Sequence, residues 1–444
     1  MNYQQCLRYL EEIQNLGIKF GLENVRTLLD AINNPESKYP TILVAGTNGK
    51  GSVCAFLTRI LTLHGFKTGL FTSPHLIRVE ERFRIGNELI SRESFAQLLS
   101  LLRQKIEELI NRKKLLAPIT YFEILTCLAF LFFHRQNVRI AVLEVGMGGR
   151  FDATNVVTPI LSVITTISAE HQKFLGESLG QIAFEKAGII KTGVPVICGV
   201  RHREAYETIK KRAAELRAPF IGVFDEKGCF KKKKKEGFNY TFLYKFKSES
   251  HIYTPSILGE HQGRNAAVAI AASQVISQRW NQLKKETIIQ GIESTRWEGR
   301  MEILSKNPLF IVDGAHNEEG ARALRKYIEE FISIPIVLIF ACMRDKKIES
   351  IADIIFPLAK KIICTRFSYF RAASPEDILN RAQKFSSRII LAPHVTKAIE
   401  LAFKNAPSNE VVISAGSLYL VGEIKKYFRP QALIPSSYQG EKGP

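Results

Sequence analysis

Short runs of apolar residues alternate along the chain with longer stretches in which apolar positions recur every three or four residues. Continuous apolar runs of about four to eight residues are typical of strands buried on both faces of a parallel sheet. Apolar residues at helical spacing are typical of helices that cover such a sheet. The pattern therefore predicts an α/β protein. In the first part of the chain it predicts strands at 41–45, 140–145, 160–165 and 194–200, and helices at 52–64 and 95–110.

A second series of alternating strand and helix patterns begins after residues 297–300. Its regularity predicts a smaller, Rossmann-like, doubly wound domain. We expect a first domain at 1–297, a second domain at 298–430, and a flexible tail at 431–444, which is rich in Pro, Ser and Gly. The predicted strands of the second domain are 309–312, 336–340, 362–365, 389–391 and 411–414, and its predicted helices include 320–331 and 395–403.

The stretch 224–253 interrupts the first domain and has the pattern of an irregular, β-rich excursion. It contains five consecutive lysines at 231–235. Basic residues that bind single-stranded nucleic acid are usually interleaved with aromatic residues, and no such alternation surrounds this run. We therefore interpret the lysines as a solvated loop rather than as a nucleic-acid site or a localisation signal.

Composition narrows the class of protein. The chain has 444 residues, of which 45% are hydrophobic and 24% are charged, so it has enough apolar residues for a substantial core. Lys and Arg exceed Asp and Glu by 62 to 43, and the net charge of +19 favours anionic partners. The seven cysteines form no Cys-x-x-Cys pair, which disfavours a zinc site or a disulfide framework. The sequence contains no secretory signal and no apolar run of the ~20 residues that cross a membrane, so we predict a cytoplasmic protein.

The clearest chemical signal is the sequence Gly-Thr-Asn-Gly-Lys-Gly-Ser at 46–52, between a predicted strand and a predicted helix. Glycines let backbone N–H groups converge on phosphate oxygens, Lys50 adds a positive charge, and Ser52 can face a metal ion. The spacing differs from the standard Walker motif, because Gly51 separates Lys50 from Ser52. The loop predicts a P-loop-type ATPase domain with a mostly parallel sheet. The residues expected to contact ATP here are Asn48, Gly49, Lys50, Gly51 and Ser52.

This loop, followed by Thr-Ser-Pro-His-Leu at 72–76, resembles the folylpolyglutamate synthase/dihydrofolate synthase family, which is related to the Mur ligases of cell-wall synthesis. Further segments resemble family signatures in family order and extend the resemblance to about residue 430. They are Glu-Val-Gly-Met-Gly-Gly-Arg-Phe-Asp-Ala-Thr-Asn at 144–155, Glu-Lys-Ala-Gly-Ile-Ile-Lys at 185–191, His-Gln-Gly-Arg-Asn at 261–265, Arg-Trp-Glu-Gly-Arg at 296–300, Asp-Gly-Ala-His-Asn at 313–317 and Gly-Ser-Leu-Tyr-Leu-Val-Gly-Glu at 416–423.

The resemblance implies a metal site and a modified lysine. Glu144 follows a predicted strand, where ligands collect in open α/β sheets, and the family implies that it binds Mg²⁺ together with Ser73 and His171. The residue before His171 is Glu170, where the family commonly has Asp, and the longer side chain changes the surroundings of the site. Lys186 by itself suits a helix end, but the family implies that it is carbamylated by CO₂. Carbamylation needs a neutral amine, which partial burial favours.

The resemblance also implies substrate sites. Asn265, Arg300, Asp313 and His316 would bind ATP, with Arg300 on the phosphates, Asp313 on the ribose and His316 near the adenine; Lys346 is a weaker candidate. Domain closure would assemble this site. For the pterin, aromatic side chains would stack on the ring and a carboxylate would pair with its guanidine-like edge. The implied pterin residues are Thr120, Tyr121, Phe122, Glu123, Phe151, Asp152 and Ala153.

The predicted activity is ATP-dependent and Mg²⁺-dependent addition of L-glutamate to 7,8-dihydropteroate, to the γ-carboxyl of tetrahydrofolate, or to both. Lys50, Lys186 and Arg300 are the predicted catalytic residues. The alternatives are a Mur-type cell-wall ligase, although only about forty residues precede the loop strand, and a nucleic-acid-dependent NTPase. We expect a monomer whose partners are small molecules rather than nucleic acid or a membrane. The sequence leaves open which acceptors are used and how long a polyglutamate chain becomes.

Overall fold

A computed structural model of the chain describes residues 1–14, 21–115, 117–225, 228–246, 249–280, 283–406 and 410–428. The chain divides into two compact units. Unit 1 comprises residues 1–75, 79–256 and 261–296, and unit 2 comprises 76–78, 257–260 and the chain from Trp297 onward. The short segments 76–78 and 257–260 were expected in the first domain. They group with unit 2 because Leu76 and Leu258 pack against its apolar core. The tail predicted at 431–444 lies outside the described residues.

Unit 1 is built on an eight-stranded sheet in the order β4-β3-β2-β5-β1-β6-β7-β8, in which the β2–β3 and β3–β4 pairs are antiparallel and the other neighbouring pairs are parallel. Its strands are β1 (Thr41–Ala45), β2 (Thr68–Phe71), β3 (Phe83–Ile85), β4 (Glu88–Leu89), β5 (Ile140–Glu144), β6 (Leu161–Ile164), β7 (Val196–Cys198) and β8 (Phe220–Gly222). Its helices are α1 (Tyr3–Gln14), α2 (Glu23–Ala31), α3 (Lys50–Leu63), α4 (Arg92–Asn111), α5 (Tyr121–Arg135), α6 (Gln172–Leu175), α7 (Leu179–Ala187), α8 (Arg203–Glu215), α9 (Glu260–Arg279) and α10 (Lys285–Ser294).

The central strands of this sheet are buried on both faces. Every residue of β1 and of β5 is buried, which explains why both strands are apolar except for Thr41 at the start of β1 and Glu144 at the end of β5. The strands pair in parallel with Thr41 opposite Ala141 and Val44 opposite Glu144. This register brings the end of β5, with Glu144, next to the end of β1, where the Gly-rich loop begins.

A separate three-stranded antiparallel sheet in the order β11-β10-β9 corresponds to the predicted β-rich excursion. Its strands are β9 (Gly228–Glu236), β10 (Asn239–Phe246) and β11 (Glu249–Tyr253). The prediction of a loop for the five lysines at 231–235 is wrong, because these residues belong to β9, where all but Lys233 have a partner in β10. Their side chains are exposed, as expected for the edge strand of a sheet.

Unit 2 carries a six-stranded sheet in the order β12-β13-β17-β14-β15-β16, parallel except for β12. Alternate residues of β14 point to opposite faces: Leu338 packs with α11 and α12, and Ile339 packs with α14 and α15. Helices therefore cover both faces. The elements are β12 (Glu302–Lys306), β13 (Leu309–Val312), α11 (Glu318–Phe331), β14 (Ile336–Phe340), α12 (Ile348–Ile355), β15 (Lys361–Cys364), α13 (Pro375–Arg381), β16 (Ile389–Leu391), α14 (Val395–Asn405), β17 (Val411–Ala415) and α15 (Leu418–Phe428).

The predicted fold class is confirmed: a mostly parallel sheet of the P-loop type in unit 1 and a doubly wound sheet in unit 2. Over the part of the chain that the structure describes, none of the helices combines the length and apolar composition needed to cross a membrane.

Candidate active site in unit 1 and candidate nucleotide-binding residues in unit 2

The loop between β1 and α3 has a backbone that requires glycine at two positions. Gly46 has φ of +149° and Gly49 has φ of +83°, a region that L-residues rarely adopt. A Cβ at Gly46 would lie 1.9 Å from Thr165 Oγ1, and a Cβ at Gly49 would lie 2.4 Å from Asn265 Oδ1. The predicted ATP residue Asn265 therefore packs directly on the predicted phosphate loop, where its amide donates to Gln262 Oε1 at 3.0 Å.

The loop is held in place by the segment that follows β6. Thr165 Oγ1 donates to Asn48 O at 2.6 Å, Asn48 N donates to Thr166 Oγ1 at 3.0 Å, and Thr47 N donates to Thr166 O at 2.7 Å. These hydrogen bonds fix the loop before any ligand arrives. The sequence patterns did not predict this clamp. The signal that was present is the pair of threonines, Thr165 and Thr166, at the carboxyl end of a predicted strand.

The side-chain nitrogens of two lysines converge on one carbonyl of the loop. Lys50 Nζ donates to Gly46 O at 3.0 Å and to Thr47 O at 3.1 Å, and Lys186 Nζ donates to Gly46 O at 2.9 Å. Lys186 is only 4% exposed. Burial, and secondarily the charge of Lys50, lower the pKa of Lys186 to about 7, although Glu170 and Asp152 act in the opposite direction. A large fraction of Lys186 is therefore a neutral amine near pH 7.

Oxygen donors suited to Mg²⁺ lie beside the loop. Ser52, in the first turn of α3, is buried and its hydroxyl has no hydrogen-bond partner, so an oxygen ligand is left unused there. The Glu144 carboxylate is also buried, and its Oε2 accepts a hydrogen bond from Ser73 N at 3.1 Å. Carboxylate and hydroxyl oxygens are the ligands that hard cations prefer. The residues present therefore fit the metal that the resemblance implies.

A hydrogen bond joins two of the predicted metal ligands, Ser73 and Glu144. His171 is exposed and begins α6 with a left-handed backbone, φ +53°. Within the described ranges, no cluster of three or more His, Cys, Asp or Glu side chains is arranged to hold a metal ion. The predicted set contains one serine and is not a cluster of that kind.

The predicted pterin residues have mixed environments. Glu123 and Thr120 form a capping box at the start of α5, in which Thr120 N donates to Glu123 Oε2 at 2.6 Å. Asp152 accepts hydrogen bonds from Met147 N, Thr154 N and Thr154 Oγ1, and burial raises its pKa. Both carboxylates therefore stabilise local backbone.

The aromatic candidates are more available to a ligand. Tyr121 and Phe122 are half-buried at the start of α5, and the Phe122 ring packs over Gly146, in the loop after β5. Phe151 is 41% exposed and stacks on the Arg150 guanidinium, 4.4 Å from the ring centre. Ala153 is buried at the start of a 3-10 helix.

In unit 2, the turn that presents Arg300 is fixed from two sides. Asp313 accepts hydrogen bonds from Met301 N at 2.9 Å and from Ala315 N at 2.8 Å, so both of its carboxylate oxygens are used by the backbone. On the other side, Glu302 Oε2 accepts from Gly299 N at 2.8 Å. The Arg300 guanidinium lies against Gly314, where an added Cβ would be 2.2 Å from Nη1.

A buried lysine anchors this turn to helix α15. Lys425 is 1% exposed, and its Nζ lies 2.7 and 2.8 Å from the two carboxylate oxygens of Glu302 and 2.9 Å from Glu298 Oε2. Because Glu298 and Glu302 flank Gly299 and Arg300, the ion pairs hold the turn. The sequence patterns did not predict this role, because Lys425 is by its position in the chain an ordinary lysine near a helix end.

The loops after β13 and β17 meet at the carboxyl edge of the unit 2 sheet. β17 lies between β13 and β14, and the helix that follows β17 covers the opposite face from those that follow its neighbours. Such a switch point is the usual ligand crevice of an open α/β sheet. His316 lies there, and its Nδ1 is 2.8 Å from Gly314 O, so Nδ1 carries the proton. Lys346 is half-buried in the loop after β14.

Comparison with known proteins identifies the family. Residues 44–273 match the Mur ligase middle domain, and residues 299–418 match the Mur ligase, glutamate ligase domain. The dihydrofolate synthase/folylpolyglutamate synthase of Bacillus subtilis is 34% identical over 431 residues, which cover 96% of this chain and 98% of that protein.

Solved structures agree with this assignment. The apo form of L. casei FPGS matches with a TM-score of 0.85 and 30% identity, over 96% of this chain and 99% of that one. E. coli FolC in complex with DHPP and ADP matches with a TM-score of 0.87 and 25% identity, over 97% and 99%. The resemblance inferred from the motifs is confirmed. The chain belongs to the folylpolyglutamate synthase/dihydrofolate synthase family.

Proposed function

We propose that this ATP-dependent ligase adds L-glutamate to 7,8-dihydropteroate, to the γ-carboxyl of tetrahydrofolate, or to both. The observation that carries the proposal is the pre-formed loop at 46–52, with Lys50 and Lys186 on one side and the Glu144 carboxylate nearby. It is supported by the relatives, which are named for these two activities and align end to end with this chain.

The reaction proceeds in two steps. An oxygen of the acceptor carboxylate attacks the γ-phosphorus of ATP, the bond to the β,γ-bridging oxygen breaks, and ADP leaves. The amine of glutamate then attacks the carbonyl carbon of the acyl phosphate, loses a proton, and expels phosphate. No protein nucleophile is needed, so the residues act by position and charge.

Each predicted site residue has a part in this scheme. The N–H groups of Asn48, Gly49, Gly51 and Ser52 would cradle phosphates, with Lys50 turning from the Gly46 carbonyl to the phosphoryl group. Asn265 would fix the loop against the nucleotide. In unit 2, Arg300 would contact phosphate, Asp313 the ribose and His316 the adenine. The acceptor ring would lie against Tyr121, Phe122 and Phe151, near Thr120, Glu123, Asp152 and Ala153.

Ser73, Glu144 and His171 would hold Mg²⁺, with the unused hydroxyl of Ser52 as a further oxygen donor. When bound, the ion would neutralise phosphate charge. The low pKa of Lys186 supports carbamylation, since a neutral amine can attack CO₂, forming an N–C bond and releasing a proton. The resulting carboxylate would place a negative charge beside the loop.

The experiment that tests the function follows radiolabelled glutamate into product. Purified protein with Mg-ATP is given 7,8-dihydropteroate in one tube and tetrahydrofolate in another, and ADP is measured in both. We expect incorporation in at least one tube, with one ADP per glutamate. No incorporation by folded protein that binds ATP would contradict the proposal. A UDP-sugar peptide in a third tube tests the Mur-type alternative.

We further propose that the chain acts as a cytoplasmic monomer, as expected of an enzyme whose proposed substrates are small molecules. Sedimentation velocity of the active protein tests this, and activity confined to a dimer would contradict it.

A further inference from the structure

A buried arginine that belongs to none of the predicted sites lies between two of them. Arg82 directly precedes β3 and is 5% exposed. Its carbonyl accepts a hydrogen bond from Thr72 N at 3.2 Å, which ties it to the loop that carries Ser73. The backbone therefore holds Arg82 in place without help from its side chain.

The guanidinium of Arg82 has two described contacts, and neither is with an acid. Its Nε donates to His75 Nδ1 at 2.9 Å, and its Cζ lies 5.5 Å from the centre of the Tyr121 ring. Among the residues that the structure describes, it forms no ion pair, and its two terminal nitrogens make no hydrogen bond. The nearby Arg92 differs, since it is more exposed and pairs with Glu80.

A guanidinium that is removed from water without a carboxylate partner is costly, and proteins normally pair such a charge. The free edge of Arg82 offers parallel N–H donors that match a carboxylate or a phosphate. An anion supplied by a ligand would satisfy this group. The acceptor substrate of the proposed reaction has such an anion, its carboxylate.

The position of Arg82 favours the reacting end of the acceptor. On one side, His75 lies in the same loop as Ser73, whose N–H donates to Glu144. On the other side, Tyr121 begins α5 among the candidate ring-binding residues. If the ring of a ligand lies at Tyr121 and its carboxylate faces the predicted metal residues, the carboxylate end lies near the Arg82 guanidinium.

We infer that Arg82 binds the carboxylate of the acceptor substrate and orients it for phosphoryl transfer. This inference rests on the proposed function, because it requires that dihydropteroate or a folate occupies the site. The recognised chemistry is the same for an aryl carboxylate and for a γ-carboxylate, so both acceptors are included in the test.

The test measures binding of each acceptor and of its carboxamide, which lacks the negative charge at the reacting end. Wild-type protein and Arg82→Met are saturated with a non-hydrolysable ATP analogue, and the ligands are titrated by calorimetry. We expect the wild type to prefer the acid over the carboxamide by roughly 30-fold or more, as for a buried charge pair. We expect Arg82→Met to lose this preference while its affinity for the carboxamide and for the ATP analogue is retained.

Arg84→Met is the matched control, because it removes a positive charge two residues away and should keep the preference. Arg82→Lys retains the positive charge without the paired N–H donors of the guanidinium, so it should show an intermediate preference. This variant keeps the test usable if Arg82→Met does not fold. An unchanged preference in the Arg82 variants would overturn the inference. Equal losses of affinity for acid and carboxamide would also overturn it, because they indicate a structural role. Wild type that binds no acceptor would instead contradict the proposed function.

Discussion

Lys50 and Lys186 share one acceptor, the carbonyl of Gly46, and the two side chains respond differently to their surroundings. Lys50 is half-buried and makes two hydrogen bonds to its own loop. Lys186 is buried, and its positive charge is opposed by the low polarity around it and by Lys50. At the scale of single residues, one lysine is therefore suited to bind phosphate as a cation, and the other is suited to react as a neutral amine.

Replacement of Lys50 by Ala should abolish ligation and leave the fold intact. The loss of two hydrogen bonds to loop carbonyls should change the free energy of unfolding by only about 1–2 kcal/mol, whereas the phosphoryl group loses its cation. Glutamate incorporation and urea unfolding measure the two effects. The exposed Lys38→Ala is the control, and normal turnover by Lys50→Ala would remove Lys50 from the mechanism.

The stability contributed by Lys186 should depend on pH with a definite sign. Its pKa is lowered in the folded protein to about 7 from an ordinary value of 10.5, so between these values the unfolded chain binds a proton that the folded chain lacks. Stability therefore rises with pH through this window, and the cost of burying the cation is fully present below pH 7.

Lys186→Met removes that dependence. In CO₂-free buffer, we expect the stability advantage of the variant over wild type to be greatest near pH 6.5 and to shrink towards pH 9.5. Urea unfolding at several pH values measures this difference, in which other titrating groups cancel. Parallel pH profiles for the two proteins would contradict the assignment. Labelled bicarbonate with carbon NMR then tests carbamylation directly, with Lys186→Met as the blank.

At the scale of elements, the conformation of the phosphate loop depends on the helix α9 that packs on it. Gly49 adopts φ of +83° and lies against Asn265, which belongs to α9. Gly65 has nearly the same backbone, φ +81°, but an added Cβ there would meet no atom within 4 Å. The two positions therefore separate the cost of a left-handed backbone from the cost of crowding the site.

We expect Gly49→Ala and Gly65→Ala each to lose about 1 kcal/mol of stability from the backbone. Only Gly49→Ala should also weaken ATP binding, because its methyl group displaces the Asn265 amide. Calorimetric titration with an ATP analogue, beside thermal unfolding, measures both quantities. Equal ATP affinity in the two variants would show that contact with Asn265 is unimportant for the nucleotide.

The turn that carries Arg300 depends on helix α15 in the same way. Lys425→Met would leave the largely buried carboxylate of Glu302 without its cation, which should cost about 3–5 kcal/mol. Adding Glu302→Gln to that variant should recover part of the loss, since it removes the charge of Glu302, and the other carboxylate partner of Lys425, Glu298, is exposed to water. Denaturant unfolding of the two single variants and the double variant measures the coupling. Additive losses would contradict it.

The helices and strands that position the site could be predicted where the residues of the element itself have a clear apolar pattern. The strand at 41–45 and the three strands at 309–312, 336–340 and 389–391 agree with the structure residue by residue. The first three are mostly buried parallel strands, which are typically apolar throughout, and the short run Ile-Ile-Leu at 389–391 is apolar although it lies at the sheet edge. Short strands such as β4 and β12 were missed, because two to five mixed residues have no clear period. The Thr165 clamp, Arg82 and Lys425 were missed for another reason. Their roles come from residues distant in sequence, and nothing local distinguishes them.

At the scale of the whole molecule, the net charge of +19 is partly concentrated in one strand. The five lysines at 231–235 lie on the exposed edge strand β9. Lysines at a sheet edge oppose pairing with another edge, which gives this run a role that needs no ligand. A positively charged molecule also attracts ATP and carboxylate substrates over a distance.

Replacement of all five lysines by Gln should weaken retention of the protein on a polyanion column and leave ligation unchanged. Wild-type binding to RNA or DNA should be weak in a filter assay and should disappear at modest salt, because such binding depends on counterion release. Salt-resistant binding, or ATP hydrolysis stimulated by nucleic acid, would instead favour the nucleic-acid-dependent alternative.

Unit 2 is assembled from three separate stretches of the chain, which limits where the chain can be cut to give a separate domain. Leu76 and Leu258 pack on its apolar cores, and Glu260 pairs with Lys326 at 2.7 Å. Leu76, Leu258 and Glu260 all precede Trp297 in the sequence. A Cβ at Gly422 would lie 2.0 Å from Leu76 O, so helix α15 is shaped around that short segment. A gene fragment that starts at Trp297 would encode the sheet of unit 2 without the two short segments that pack on its apolar cores. We therefore expect a domain of this kind to be inherited together with the first domain, whose sequence contains the segments 76–78 and 257–260, rather than to be exchanged between proteins on its own.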